Sequence, residues 1–112
     1  MEKTTVEELT DLDFEASLKA NPISVVDLYA TWCGSCRLFA PIYATFATEH
    51  PEFRFYKADA EKNPKLRAAV TGIDNLPFIA VFHEGQFVGG KTTSKKEALE
   101  EMMNVIREKL KS

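Results

Sequence analysis

The segment ISVVDLYA, Ile23–Ala30, restricts the fold more than any other stretch. It is a short apolar, β-branched run bounded by Asn21-Pro22, and it reads as a buried strand. A buried strand needs cover, and the flanking sequence supplies it. Apolar residues recur at Cys36, Phe39, Ala40, Tyr43, Phe46 and Ala47. That spacing predicts a helix from near Gly34 to near His50-Pro51, with Pro41 inside it as an expected kink. Phe53–Ala58 alternates and reads as a strand, and Pro64 to Val70 predicts a short helix with its proline in the first turn. Phe78–Phe82 and Gln86–Gly90 flank His83-Glu84-Gly85, a hairpin signal. Ser94-x-x-Glu97 spells a capping box, and Leu99, Met102, Met103, Ile106 and Leu110 form one helical stripe. The paired methionines read as core. Toward the N-terminus, Val6–Leu9 reads as a short strand and Thr10 as the cap of a helix carrying Leu12, Phe14 and Leu18. The order β-α-β-α-β-α-β-β-α implies an α/β fold: a central mixed sheet of about five strands flanked by about four helices.

A chain of 112 residues with eight phenylalanines makes one domain, residues 1–112, whose core needs no covalent staples. The net charge is −3 and no Lys/Arg block stands out, which argues against nucleic acid and anionic membranes as partners. No apolar run reaches the roughly 18 residues of a membrane span. The opening MEKTTVEELTDLDF lacks the apolar heart of a secretory signal, so the expected compartment is the cytoplasm, where thiols are kept reduced.

Against that background the only two cysteines, Cys33 and Cys36 in ATWCGSCRLFAP, call for an explanation. A staple closing four residues constrains the unfolded chain by only about 2 kcal/mol, and this chain does not need it. In a reducing compartment a C-x-x-C pair is more often catalytic or metal-binding. A closed zinc site wants four ligands, and the pair supplies two. His50 and His83 are the only histidines. His50 ends the helix that Cys33 begins, and His83 sits in a hairpin, so both read as surface residues remote from the thiols. Zinc within one chain is disfavoured. A dimer bridging a metal or an iron–sulfur cluster through paired thiols stays open as an alternative of another class.

Taken together, Asp27 in VVDLYATWC, the set Trp32-Cys-Gly-x-Cys36, Pro41, Lys57, Leu76-Pro77 and Gly85 resemble the thioredoxin family over nearly the whole chain. The resemblance implies the thioredoxin fold and a protein-disulfide reductase that works through a redox-active Cys33–Cys36 disulfide, without a metal or separate cofactor. It implies disulfide-containing client proteins, a thioredoxin-reductase-type flavoprotein as electron donor, and a monomer. Cys33 is expected at a helix N-terminus, where free N–H groups and the macrodipole favour a thiolate; thioredoxins are themselves a familiar instance of this effect. Cys36 is expected on the inward stripe with Phe39 and Ala40, sheltered while Cys33 is exposed. The short spacing then makes the second sulfur's attack intramolecular.

Asp27, a carboxylate inside an apolar strand, is the candidate proton acceptor for Cys36, since burial raises its pKa. Lys57 shares parity with Phe53 and Phe55 and is expected on the same buried face. The resemblance sets it beside Asp27, and the pair also fits a purely structural role. Pro77 suits a strand edge, with a trans bond on its own terms and a cis bond by resemblance. By the same resemblance Leu76 offers its backbone to a client chain. Trp32, Ile73 and Leu76 fit an apolar rim, with Gly34 and Ser35 at the contact; Trp32 fits a core position equally well.

This chain departs from the family at several points. Ser35 stands where proline is most common, and its hydroxyl favouring the Cys33 thiolate would make the couple more oxidising. Arg37 keeps the positive charge of a usual lysine. Phe78 stands where threonine is usual, and Thr93 near a glycine of the substrate-facing loop, a role Gly89-Gly90 is expected to take in shifted register. These changes predict a bulkier substrate groove and a narrower client range. An oxidase or isomerase of an oxidising compartment is the alternative within the same fold.

Overall fold

The computed structural model describes residues 6–111, and side-chain surroundings for residues 6–109. In chain order the elements are β1 (Val6–Glu8), α1 (Phe14–Lys19), β2 (Ile23–Tyr29), α2 (Gly34–Glu49), β3 (Arg54–Asp59), α3 (Pro64–Ala68), β4 (Phe78–His83), β5 (Gln86–Thr92) and α4 (Lys96–Lys111). The expected order of elements is the observed one. The five strands form one mixed sheet in the order β1-β3-β2-β4-β5. β1, β3 and β2 run parallel, while β4 and β5 are antiparallel to their neighbours.

β2 is central, which explains why ISVVDLYA is apolar on both parities. Val25 packs with Phe55, Ile79 and Val81 beneath Phe39, Tyr43 and Phe46 of α2 and Leu99 and Met103 of α4. Val26 and Leu28 face the other way, against Phe14 and Leu18 of α1 and Leu66 of α3. Each helix therefore buries its stripe against one face of the sheet, α2 and α4 on one side and α1 and α3 on the other. Tyr43 also ties α2 to the sheet, its hydroxyl lying 2.7 Å from the Tyr56 carbonyl and 3.0 Å from that of Val25.

Several local expectations are corrected. Leu12 is not on a helix face; it is 98 % exposed in the turn before α1. Thr10 does not cap that helix. Its N–H donates to Asp13 Oδ1 (2.8 Å), and Asp13 occupies the N-cap position. The Ser94/Glu97 capping box does not set the start of α4 either: Thr93 Oγ1 accepts from Lys95 N–H (3.1 Å), and the helix starts at Lys96. Short hydroxyl and carboxylate side chains close turns as readily as they cap helices. In the stripe of α4, Leu99 and Met103 are fully buried and Met102 and Ile106 partly so, while Leu110 lies outside the described side chains. Likewise the first five residues of the acidic N-terminal stretch lie outside the described residues.

α2 continues unbroken through Pro41, whose missing N–H leaves the Arg37 carbonyl without its helical donor. The hairpin turn needs positive φ at Glu84 (51°) and Gly85 (89°), and a Cβ at Gly85 would lie 2.6 Å from Lys19 Cγ. β5 runs on to Thr92, so Gly89 and Gly90 are strand residues opposite Val81 and Ala80, not a substrate-facing loop. A Cβ at Gly90 would come 2.5 Å from the Phe78 ring. Phe78 is buried in the core, so its bulk is taken up by Gly90 rather than added to a groove.

Candidate active site

The bend between β2 and α2 delivers the two sulfurs. Ala30 N-terminal to the bend is buried, and its carbonyl accepts from Cys33 N–H (3.2 Å), turning the chain into the helix. Cys33 is the N-cap of α2 in an extended conformation, and its Sγ accepts from the Cys36 N–H at 3.2 Å. The sulfur thus takes the place that a Ser or Asp oxygen usually fills. Cys33 and Cys36 are joined in a disulfide with Cα atoms 5.2 Å apart. Both residues are buried, at 6 % and 4 % exposure, so the expected contrast of an open and a shielded sulfur is absent in this oxidised state. Their asymmetry lies in surroundings instead. Cys33 Sγ faces polar groups, with Ser35 Oγ at 3.4 Å and the Leu76 carbonyl at 3.8 Å. Cys36 lines a cavity of about 360 Å³ together with Asp27, Tyr29, Ala40 and Lys57. Ala40 is exposed at this cavity rather than packed inward with Phe39.

Asp27 lies at the bottom of that cavity. It is 3 % exposed, and its Oδ1 is one of two buried side-chain oxygens among the described residues without a hydrogen-bond partner. Burial pushes its pKa from 3.8 to about 7, Lys57 opposes that rise and Glu8 adds to it. Lys57 stands directly beside Asp27 in the β2–β3 register. Its parity with Phe55 holds, but Lys57 is exposed, not buried: it lines the open cavity beside Asp27 instead of packing under α2, and its side chain keeps 46 % of its surface. Long amphipathic side chains take such positions by leading their charge to water.

Two carboxylates that no short motif announces complete the surroundings. The β1–β3–β2 registers put Glu8, Lys57 and Asp27 in one row. Glu8 Oε2 accepts from the Tyr29 hydroxyl (2.7 Å), and Glu8 Oε1 lies 4.0 Å from Lys57 Nζ. The Tyr29 phenol is pushed upward in pKa by burial and by this bond. Glu61 Oε2 accepts from Trp32 Nε1 at 2.8 Å, holding an indole that is 64 % exposed. Trp32 is therefore a rim residue and not a core one.

The remaining expected residues converge on the same edge. The Leu76–Pro77 bond is cis. Leu76 is half-buried against Ala30, Cys33 and Cys36, and Ile73 is half-buried against the neighbouring core. Pro77 is buried, and its carbonyl accepts from Thr93 N–H (3.2 Å). Ser35 Oγ reaches the Leu76 carbonyl at 3.5 Å, so Ser35 links both walls of the site. Gly34 is exposed, with open space where a Cβ would stand. Arg37 Nη1 donates to the Thr31 carbonyl (3.4 Å). His50 and His83 lie elsewhere and are half-buried rather than on the surface, His50 stacking on Phe46 with ring centroids 4.2 Å apart.

A helix-capping disulfide over a buried carboxylate, beside a cis-proline loop, can be set against known proteins. The thioredoxin family model matches residues 5–108. This chain belongs to the thioredoxin family. Mitochondrial thioredoxin-3 of Saccharomyces cerevisiae is 32 % identical over 98 residues, covering 87 % of this chain and 76 % of the relative. Thioredoxin-1 of the same yeast is 30 % identical over 94 residues, covering 80 % and 90 %. A putative thioredoxin 2 of Streptomyces coelicolor is 35 % identical over 81 residues; the match covers 72 % of this chain but only 60 % of that protein's length. Among solved structures, the short form of spinach chloroplast thioredoxin f superposes with a TM-score of 0.83 at 30 % identity, over 96 % of this chain and 99 % of the other. Two further likenesses are to structures of a ferredoxin:thioredoxin reductase–thioredoxin f2 complex (28 % identity, TM-score 0.81) and of a yeast mitochondrial 1-Cys peroxiredoxin system (29 % identity, TM-score 0.76). Like other thioredoxins, the protein is a thiol–disulfide oxidoreductase, and its Cys33–Cys36 pair fits the C-x-x-C redox centre.

Proposed function

We propose that this thioredoxin reduces disulfides of client proteins, with Cys33 as the attacking thiolate and Cys36 as the resolving thiol. The Cys33 sulfur at the N-cap of α2, accepting the Cys36 N–H, is the observation that carries the reading. A free N–H aimed at a sulfur, together with the helix macrodipole, stabilises negative charge there.

The Cys33 thiolate displaces one sulfur of the client disulfide, forming a Cys33–client bond and releasing a client thiolate. Asp27 then takes the Cys36 proton across the shared cavity, and the Cys36 sulfur attacks Cys33 Sγ. The Cys33–client bond breaks, the second client sulfur leaves as a thiolate, and the Cys33–Cys36 disulfide forms. A carboxylate with a pKa near 7 can both take and return a proton at neutral pH. Burial sets that value, with Lys57 lowering it and Glu8 raising it. Trp32, Gly34, Ser35 and Ile73 form the rim that meets the client beside the buried cis-Pro77, and the Leu76 backbone takes an extended segment in the manner of an added strand. No cofactor beyond the disulfide takes part.

A thioredoxin-reductase-type enzyme restores the dithiol, a role supported by the structural likeness to a thioredoxin f2 seen with ferredoxin:thioredoxin reductase. Its relatives include mitochondrial and chloroplast thioredoxins; we assign this chain to a reducing compartment, the cytoplasm, and to a monomeric state. The deciding experiment is insulin reduction driven by dithiothreitol, with Cys33→Ser and Cys36→Ser controls. Catalysis lost in both, with a trapped mixed disulfide in Cys36→Ser alone, is the expected result. A redox potential in the range of oxidising compartments would reverse the assigned direction, and catalysis surviving Cys33→Ser would end the proposal.

A further inference from the structure

The loop ahead of β4 holds a bond that the redox chemistry does not use. The residue before a proline is held to extended backbone, and an extended residue turns its N–H and C=O to the same side. On Leu76 both groups are already engaged by side chains of this chain. Its N–H donates to Asn75 Oδ1 at 2.8 Å. Its carbonyl lies 3.5 Å from Ser35 Oγ and 3.8 Å from Cys33 Sγ. The two engagements differ in kind. A carbonyl has two lone pairs and keeps room for a second donor, whereas a backbone N–H has one proton and serves one acceptor well. Asn75 therefore occupies the only hydrogen-bond donor that Leu76 has.

The main chain around this bond is pinned. Asp74 Oδ1 accepts from the Thr92 hydroxyl, whose oxygen also lies 3.3 Å from the Asn75 carbonyl. The Pro77 carbonyl accepts from Thr93 N–H (3.2 Å). The backbone on both sides of Leu76 is thus tied to the end of β5. Asn75 itself is exposed, so its amide can swing into water without moving that backbone. We propose that Asn75 is a specificity-determining residue: its side chain stands in for a client's backbone carbonyl at the Leu76 N–H, and a peptide disulfide must displace it to pair there. This deepens the reading of Leu76 as the edge that takes an extended client segment, and rests on it. The client gains its bond at the expense of one already made, which shrinks the net gain. A disulfide without peptide groups asks nothing of Leu76 and meets no competition. The favoured substrate is a chain extended through its cysteine, with a carbonyl and an N–H free on one side. A client whose carbonyl is already bonded within its own fold cannot offset the displacement.

The test follows single-turnover oxidation of the pre-reduced protein by the fluorescence of Trp32, the only tryptophan. The oxidants are insulin and hydroxyethyl disulfide, which has no peptide group. The readout is the ratio of their second-order rate constants. Asn75→Ala should raise that ratio about fourfold, the worth of one ordinary hydrogen bond. Asn75→Asp sets a carboxylate at the same N–H and should lower the ratio, because charged acceptors hold an N–H more strongly. Hydrogen exchange at the Leu76 amide should be faster in Asn75→Ala than in wild type. An unchanged ratio in Asn75→Ala overturns the proposal. So does a lower one, since Asn75 would then hold the client itself. A raised ratio in Asn75→Asp, or Leu76 exchange no faster without the side chain, overturns it as well. Should the wild type reduce hydroxyethyl disulfide but not insulin, the underlying reading as a client-protein reductase falls, and the proposal with it.

Discussion

α2 and α4 are both sixteen residues long and lie on the same face of the sheet, yet they are built on different terms. Eight of the sixteen residues of α4 are charged, against two in α2. α4 buries Leu99 and Met103 and turns a charged face to water, the ordinary amphipathic arrangement. α2 buries a wider aromatic stripe, carries the disulfide at its N-cap, lies over a cavity floored by Asp27, and shows solvent an uncharged face. One helix is made for packing and the other for packing plus chemistry. The difference teaches that a second apolar face and a buried carboxylate, both costly for stability, collect on the element that does the work.

The sharpest way to break this contrast is turnover. Cys33→Ser at the start of α2 should lower insulin reduction by roughly 1000-fold or more, the scale of losing a nucleophile. Glu97→Ala in the first turn of α4 should leave it unchanged; a comparable loss there would erase the distinction. The second comparison concerns what each helix covers. The folded pKa of Asp27, about 7, lies above its unfolded value of 3.8, so the folded chain holds an extra proton between those values. Stability therefore falls as pH rises from about 4 to 7 and stays reduced above, by about 4 kcal/mol at roughly 1.4 kcal/mol per unit. Asp27→Asn should match wild type in urea unfolding of the oxidised protein at pH 4 and exceed it by that amount at pH 8. Equal stability at both pH values would place Asp27 in a solvated or paired environment.

Among the described residues no buried unpaired carboxylate lies under α4, so truncation there should only destabilise. Met103→Ala, at a fully buried position, should cost about 3 kcal/mol at every pH from 4 to 8. A smaller effect follows from Ser35, 3.4 Å from Cys33 Sγ. Ser35→Pro removes a hydroxyl able to donate to the thiolate and should make the couple more reducing by about 30 mV, read in a glutathione redox titration. An equal or less reducing variant refutes that role. The smallest expected effect links the two helices at their C-terminal ends. Arg107 of α4 pairs with Glu52, contacts His50 Nδ1 (3.1 Å) and lies 5.1 Å over the Phe53 ring, and Glu52 is held below its usual pKa chiefly by its bond to Arg107. Arg107→Ala should cost about 0.5–1 kcal/mol, as partly exposed pairs do.

Much of this protein was legible along the chain, because helical and strand periodicities, turn residues and the C-x-x-C spacing are all local. The apolar run of Ile23–Ala30 announced a buried strand, and the spacing after Cys36 announced α2; that the strand is the central one only the pairing showed. Legibility ended at contacts between distant segments. Lys57 followed the parity of Phe55 but stays exposed, because parity sets a face and only the packed helices determine whether that face is covered. The Glu8–Tyr29–Lys57 contacts and the Trp32–Glu61 bond arise from strand register and loop placement. Phe78 and Gly90 compensate each other across β4 and β5, invisible until the strands are paired. The sequence by itself determined the element order, the fold class and the reactive pair, since each depends on neighbours a few residues apart. Only the tertiary structure decided what surrounds each sulfur, how far Asp27 is from water and which face of α2 is left open, since these depend on what comes to lie alongside.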